Sequence, residues 1–377
     1  MQASAETDTT KLPKERFHFL DGLRAVAVSL VVMQHAFTTN IMTILNHYRL
    51  NAVSAFIFGL GQSGVELFFV LSGVVLLRPY LRGEKKFEAG KYFVRRFKRI
   101  YPSYFAALCI GSFVIWLNNF IPTWYSIILV QFSWKGALSQ TFMFSTNGFY
   151  YNLAWWSLQI EMTFYIVAPL IVFFYHKKKQ ANDIKFYCTL LLITAISVFA
   201  QVYLSTHYPA LYDYGKVNNI YRIIDYPVCF ALGVYLAARN PTVQQGIAFA
   251  LAGILIIAAS FLYTPISHAG YGLLYAGIII LAFHKQKLRN RLSAPFMIWL
   301  GERSYSLFLI HYTAFYFTDF LLSLLFPGRT LAYGILAKLL GIAMALFSAM
   351  LLFYFVERKQ AKGLVTDKCF WPWQVRK

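Results

Sequence analysis

Two histidines, a glutamate and a set of arginines occupy positions where an otherwise apolar chain has little use for charge. Arg24 and His35 are eleven residues apart in the first long apolar run. Eleven steps of about 100° return to nearly the same helix face, about 16 Å further along the axis. Asp21, three residues before Arg24, is spaced to pair with it. A fourth apolar segment reads Trp155-Trp156-Ser157-Leu158-Gln159-Ile160-Glu161, then Phe164 and Tyr165. Counted from opposite faces of a core about 30 Å thick, His35 and Glu161 fall at a similar depth. A carboxylate and an imidazole at one depth suit proton abstraction, the carboxylate fixing the tautomer and steadying the imidazolium. The plain alternatives are a polar clamp between helices and, for His35 alone, a core histidine bonded to a neighbour.

Other polar residues extend the set. His311 follows Gly301-Glu302-Arg303-Ser304-Tyr305-Ser306 and reads either as a second catalytic or acceptor-binding group or as a structural one. Arg222 and Asp225 form an intrahelical pair or touch a polar acceptor. Glu357, beside Arg358 and Lys359, reads as an interfacial anchor. The small residues from Gly61 to Ser72 and Gly73 allow close helix packing or backbone contact with a ligand. Arg95 and Arg99 share a helix face with Arg96 beside them, a cluster suited to phosphates or to anionic lipid headgroups.

These residues need helices across a bilayer to position them. The chain has 377 residues, 58% apolar and only 13% charged, against roughly 25% charged in an average soluble domain. That composition excludes a disordered chain and argues against a soluble enzyme. Ten segments are long and apolar enough to span, near 20–40, 62–80, 101–121, 153–175, 186–204, 222–238, 245–263, 267–283, 297–322 and 331–356. Lys and Arg gather in alternate loops, leaving Arg49, Lys135, Lys216 and Arg329 on the other side. The net charge of +20 is therefore an orientation signal, and nucleic acid is set aside as a partner.

The expected fold is an all-α polytopic bundle of about ten transmembrane helices with both termini cytoplasmic. Residues 1–18 form a cytoplasmic segment leading to a retained signal-anchor, 19–357 the transmembrane domain and 358–377 a cytoplasmic tail. The aromatic-rich loop 122–152 is expected at the outer interface. The four cysteines lack metal-ligand spacing, so neither a metal nor a disulfide framework is expected.

In this order the residues resemble the acyltransferase-3 family of membrane proteins, from about Phe19 to Glu357. The resemblance rests on Asp21, the Arg24 to His35 spacing, Gly64-Val65-Glu66-Leu67-Phe68-Phe69-Val70-Leu71-Ser72-Gly73, Arg95-Arg96 with Arg99-Ile100-Tyr101-Pro102, Trp156-Ser157-Leu158 with Glu161, Phe164 and Tyr165, and Gly301 with Ser304-Tyr305-Ser306-Leu307 up to His311. Ala25 and Val74 depart from the usual glycine and phenylalanine, both at packing positions. The resemblance implies a multi-pass enzyme of the bacterial inner membrane. It would move an acyl group, most often acetyl, from cytoplasmic acyl-CoA to a hydroxyl of an O-antigen, exopolysaccharide or peptidoglycan sugar.

By the same analogy His35 is the catalytic histidine, with Glu161 beside it. Arg24, Arg95, Arg96, Arg99 and Tyr101 hold the acyl-CoA. Asp21, Ser72, Trp156, Tyr165, Arg222, Ser304, Tyr305 and His311 support substrate or transition state. A stand-alone member without a hydrolase-like domain is expected. An acyltransferase acting on a small molecule or lipid, and a transporter or flippase, are the alternatives.

Overall fold

The computed structural model describes residues 17–120, 132–143, 151–177, 183–208, 223–261, 266–326 and 331–358. Arg222, residues 1–16, the tail from 359 onward and most of loop 122–152 lie outside them.

The described chain is helical, with no strand among the described residues. The helices are α1 (His18–His47), α2 (Asn51–Gln62), α3 (Gly64–Leu81), α4 (Ala89–Phe120), α5 (Trp134–Thr141), α6 (Trp156–Lys177), α7 (Asp183–His207), α8 (Pro227–Ala238), α9 (Val243–Ser260), α10 (Ser267–His284), α11 (Gln286–Leu292), α12 (Pro295–Glu302), α13 (Ser304–Leu325) and α14 (Leu331–Leu352). A 3-10 turn, Leu153–Trp155, precedes α6, and a π turn, Phe353–Glu357, follows α14.

Among the described residues eight stretches are long and apolar enough to cross a bilayer, so the protein is an all-α polytopic membrane protein. The two remaining expected spans come out short. Pro227–Ala238 has twelve residues, about 18 Å of helix against a core of about 30 Å. The apolar run within α7 is Leu191–Leu204. The expected single span at 297–322 is broken at Arg303, between α12 and α13. Its guanidinium lies 4.6 Å from the Trp299 ring centroid and 4.7 Å from that of Phe353.

Basic residues mark one end of the bundle. There Arg82 donates to the carbonyls of Ala237 and Arg239, and Arg78 lies 5.2 Å from the rings of both Phe17 and Phe283. The start of α1 seats at this end through two glycines. A Cβ on Gly22 would lie 1.8 Å from the Leu292 carbonyl oxygen, and one on Gly301 1.9 Å from that of Asp21. A second close approach joins α3 to α8, where a Cβ on Gly233 would stand 2.4 Å from the Val70 carbonyl oxygen and 2.8 Å from Cα of Gly73. Lipid-directed faces carry exposed Ile166, Leu170 and Phe173 on α6 and Leu251 and Leu255 on α9.

At the opposite end α6 does not start at the rim. Nε1 of Trp155 and Nδ2 of Asn152 both donate to the Leu309 carbonyl, at 3.1 and 2.8 Å. The chain thus enters the bundle beside His311 before α6 begins.

Gly233→Leu should separate α3 from α8, because the new side chain meets backbone that cannot yield. We expect the thermal midpoint of the detergent-solubilised protein to fall by about 5 °C or more. A surface control, Leu255→Ala, should change it little.

Candidate active site

At the basic end a cavity of about 710 Å³, counting the space open to solvent, runs between α1, α3, α4, α6 and the break before α13. Three guanidiniums reach it, from Arg24, Arg96 and Arg99. Three carboxylates line it as well, from Glu161, Glu302 and Glu357. Burying charge in a spanning bundle is costly unless opposite charges and hydrogen bonds accompany it. Asp21 adds a further carboxylate behind Arg24, at 3.7 Å.

One donor is left over. Nε of Arg96 is buried and has no hydrogen-bond partner among the described residues. Its guanidinium lies 5.9 Å from the rings of both Tyr92 and Tyr165. A half-buried guanidinium whose buried Nε is an unused donor suits an anion.

The acidic groups are held by short local contacts. Glu161 accepts from Ser72 Oγ at 2.9 Å and from the Tyr165 hydroxyl on its own helix. Tyr305 donates to the Ile100 carbonyl at 3.0 Å, and Ser306 to Glu357 at 2.7 Å. With Ser72, Tyr165 and Tyr305 committed in this way, none of them presents a free donor to an oxyanion. Ser304 lines the same cavity.

The arginine cluster divides differently from expectation. On α4, Arg99 sits about 40° from Arg95 and about 60° from Arg96 in the opposite sense. The cavity takes the Arg96 side. Arg95 turns to α3 and donates to the Tyr80 hydroxyl at 2.8 Å. Tyr101, expected to hold the acyl donor, instead stacks between Phe97 and Phe105 at 4.7 and 6.0 Å. Both phenylalanines are exposed, so this row belongs to the outer face of α4.

His35 and Glu161 do not form the expected pair. Gly64 packs on Ala27 and Val31 of α1. Ser72, bonded to Glu161, lies eight residues further toward the basic end, and His35 four residues beyond Val31 the other way. At 1.5 Å per residue the two groups are about 18 Å apart along the bundle. The depth count fails because α6 begins inside the bundle, at the Leu309 carbonyl, rather than at the rim.

The partner of His35 is His311. Nδ1 of His35 and Nε2 of His311 are 2.9 Å apart. Nδ1 of His311 lies 2.9 Å from the Phe308 carbonyl and 3.2 Å from that of Leu307, so that nitrogen carries the proton. Its Nε2 must then accept, and Nδ1 of His35 must donate. Nε2 of His35 keeps its lone pair. His311 is fully buried, and Tyr312 packs on the His35 ring at 4.6 Å. The result is an oriented imidazole that can act as base or nucleophile, with a backbone-anchored histidine where a carboxylate was expected.

Phe68, which lines the cavity, packs on Phe308 at 6.1 Å, and Phe308 on His311 at 6.1 Å. These two rings stand between the arginines and the histidines. Trp156 is half-buried against Tyr226 at 5.7 Å, at the end remote from the basic loops. Asp225 is buried beside Tyr226.

The sequence reading missed the roles of Glu302 and Glu357. Glu357 is not an interfacial anchor: the π turn of Phe353–Glu357 turns it onto Ser306 and into the cavity. A carboxylate closing an apolar run was the available signal, but a local π turn has no pattern that reveals which way it points.

Comparison with known proteins bears on the chemistry. Over 327 residues the chain is 28% identical to the "Putative peptidoglycan O-acetyltransferase YrhL" of Bacillus subtilis, covering 78% of this chain and 48% of that protein. It is 26% identical to the "Peptidoglycan O-acetyltransferase OatA" of Listeria monocytogenes, covering 97% of this chain and 60% of that one. It is also 26% identical to the "O-acetyltransferase OatA" of Staphylococcus aureus, covering 80% and 51%. The chain thus spans between about half and 60% of the length of these relatives. No solved structure matches it. The model described as an acyltransferase domain, Acyl_transf_3, matches residues 17–358, so this helical bundle with its paired histidines and arginine cavity belongs to the acyltransferase-3 family.

Proposed function

We propose that the protein is an O-acyltransferase that carries an acyl group, acetyl foremost, from cytoplasmic acyl-CoA to a hydroxyl of a cell-surface glycan, in the inner membrane of a bacterium. The donor assignment rests on one observation. Arg24, Arg96 and Arg99 share a cavity at the basic end, and Nε of Arg96 is buried there without a partner. The phosphates of CoA are what forked guanidiniums hold best. The charge bias of the loops supports a cytoplasmic basic end, the side where acyl-CoA is made. The glycan acceptor rests on the relatives, two of which are named for peptidoglycan.

In the direct route Nε2 of His35 takes the proton from the acceptor hydroxyl. The oxygen attacks the thioester carbon, the C–S bond breaks, and the imidazolium returns its proton to the CoA thiolate. His311 holds the tautomer throughout. In the two-step route Nε2 attacks the thioester carbon, the C–S bond breaks and CoA leaves as the thiolate; the acyl-imidazolium then passes its acyl group to the hydroxyl, whose proton ends on the thiolate and leaves the imidazole neutral. Either way the thioester must pass Phe68 and Phe308, whose rotation opens the way from the arginines to His35. The carboxylates of Glu161 and Glu357 balance the guanidiniums and keep the empty cavity from collapsing.

The deciding experiment supplies purified protein in liposomes with radiolabelled acetyl-CoA and, separately, muramidase-released peptidoglycan fragments, an exopolysaccharide and phospholipid. Alkali-labile label on a glycan supports the proposal. Label confined to phospholipid or small molecules overturns the acceptor class, and movement of unmodified substrate without label overturns the enzyme reading.

His35→Ala should abolish transfer. His311→Ala should lower kcat about 10²-fold or more, since it frees the tautomer, while acetyl-CoA binding stays within twofold of wild type. Arg96→Gln and Arg99→Gln should each raise the acetyl-CoA KM about tenfold, the loss of one charge-assisted contact. Arg95→Gln, whose guanidinium is turned to Tyr80, should leave that KM within about threefold.

A further inference from the structure

A second buried acid–imidazole pair lies outside the cavity and the paired histidines. Glu66, on the first turn of α3, is 2% exposed. Its Oε1 is 2.7 Å from Nδ1 of His268, on the first turn of α10. Its Oε2 is buried and has no partner among the described residues. A buried carboxylate oxygen left without a donor costs about 1–3 kcal/mol, more if charged, and calls for an explanation. The His268 side chain is 18% exposed against 3% for that of Glu66, so the pair opens on the histidine side.

The surroundings say what kind of molecule comes. The Tyr226 ring packs on His268 at 4.5 Å, and Trp156 lies 5.7 Å from Tyr226. Phe69 closes the other side of Tyr226 at 5.0 Å. Glu66, Trp156, Tyr226 and His268 stand at or near the starts of α3, α6, α8 and α10. All four helices point their N-termini to the end remote from the basic loops. Because α8 is only twelve residues long, its start lies deep, and so does this group. Tyr226 is itself buried and braces its neighbours, so the flat face on offer is that of half-buried Trp156; with a carboxylate oxygen without a donor and an imidazole it combines acceptors for hydroxyls with a face for C–H surfaces. That is the chemistry of a sugar ring, and a polyhydroxylated ring fits it better than an anion, which Glu66 would repel.

The position also suits the acceptor. Ser72 lies six residues beyond Glu66 on α3, about 9 Å toward the basic end, and carries Glu161. The group therefore sits on the remote side of the cavity and, counted from Gly64 where it packs on Val31, about 9 Å in depth from His35.

We propose that Glu66 and His268, with Tyr226 and Trp156, form a glycan-binding subsite that seats the acceptor sugar from the outer side. Oε2 of Glu66 accepts from a ring hydroxyl, and the second nitrogen of His268 bonds its neighbour. These are positioning residues, and the assignment of a glycan ligand rests on the function proposed above.

The test uses the full chain in nanodiscs and muramidase-released peptidoglycan fragments as the probe. Binding is read by tryptophan fluorescence without acetyl-CoA, and transfer is read separately. Glu66→Gln and His268→Asn should weaken fragment binding and raise the acceptor KM about tenfold, with the acetyl-CoA KM and thermal midpoint unchanged. Equal binding by wild type and both variants overturns the subsite, as does wild type that binds no fragment. A parallel rise in both KM values with a lowered midpoint overturns it too, in favour of a packing role. Glu66-dependent binding with no transfer by wild type overturns the acyl-CoA reading and leaves the subsite standing. Trp156→Phe, which keeps the ring and the fold, should weaken binding about threefold.

Discussion

A guanidinium inside a membrane-spanning bundle is tolerated only where opposite charge surrounds it, and here three are gathered at one cavity with three carboxylates. Much of the architecture near the basic end follows from that demand. The break between α12 and α13 brings Glu302 to the cavity, and the π turn after α14 brings Glu357. Glu161 arrives from α6 with two hydroxyl donors of its own. Irregular backbone is costly in a bilayer and survives where it serves a polar interior. Both irregularities in this half of the chain do so.

The histidine centre obeys a different logic. It contains no formal charge that must be balanced. Its order comes from two backbone carbonyls at the top of one helix turn, which settle where a single proton sits on His311 and, through it, on His35. In the proposed reaction charge stays at the arginines and proton transfer takes place at the histidines. The rings of Phe68 and Phe308 lie between the two regions. In the proposed reaction the travelling group would be a thioester, which is uncharged and would suit an apolar passage between the arginines and the imidazole.

Composition and loop charge were enough to read the bundle and eight of the spans, because apolar length is a one-dimensional property of the chain, while the resemblance to the family came from the order of its motifs. Arg24, Arg96, Arg99, Glu161, Ser72, Tyr165, Ser304 and Tyr305 are candidates from the sequence that the fold brings to one cavity. Partnership was not legible. Depth counted along α6 placed Glu161 beside His35, since nothing in the sequence shows that Trp155 docks on Leu309 before the helix starts. The i,i+4 rule grouped Arg95 with Arg99, yet a helix face about 100° wide includes Arg96 equally, and only the neighbouring α3 decides. Tyr101 shared the motif but faces away from the cavity. Glu66 was visible within its glycine-bounded stretch, but its histidine is 202 residues away.

The glycine contact between α3 and α8 has a mechanical meaning. Two backbones touching at Gly73 and Gly233 leave no flexible side chain to absorb sliding, so these helices form a fixed stator. In the proposed reaction, the breathing that lets a bulky donor arm through would fall to the other walls of the passage. α13 carries both Phe308 and His311, and the broken joint at Arg303 is the hinge on which it would tilt. Catalytic motion and proton order would then be mounted on one moving helix, turning against a stationary pair.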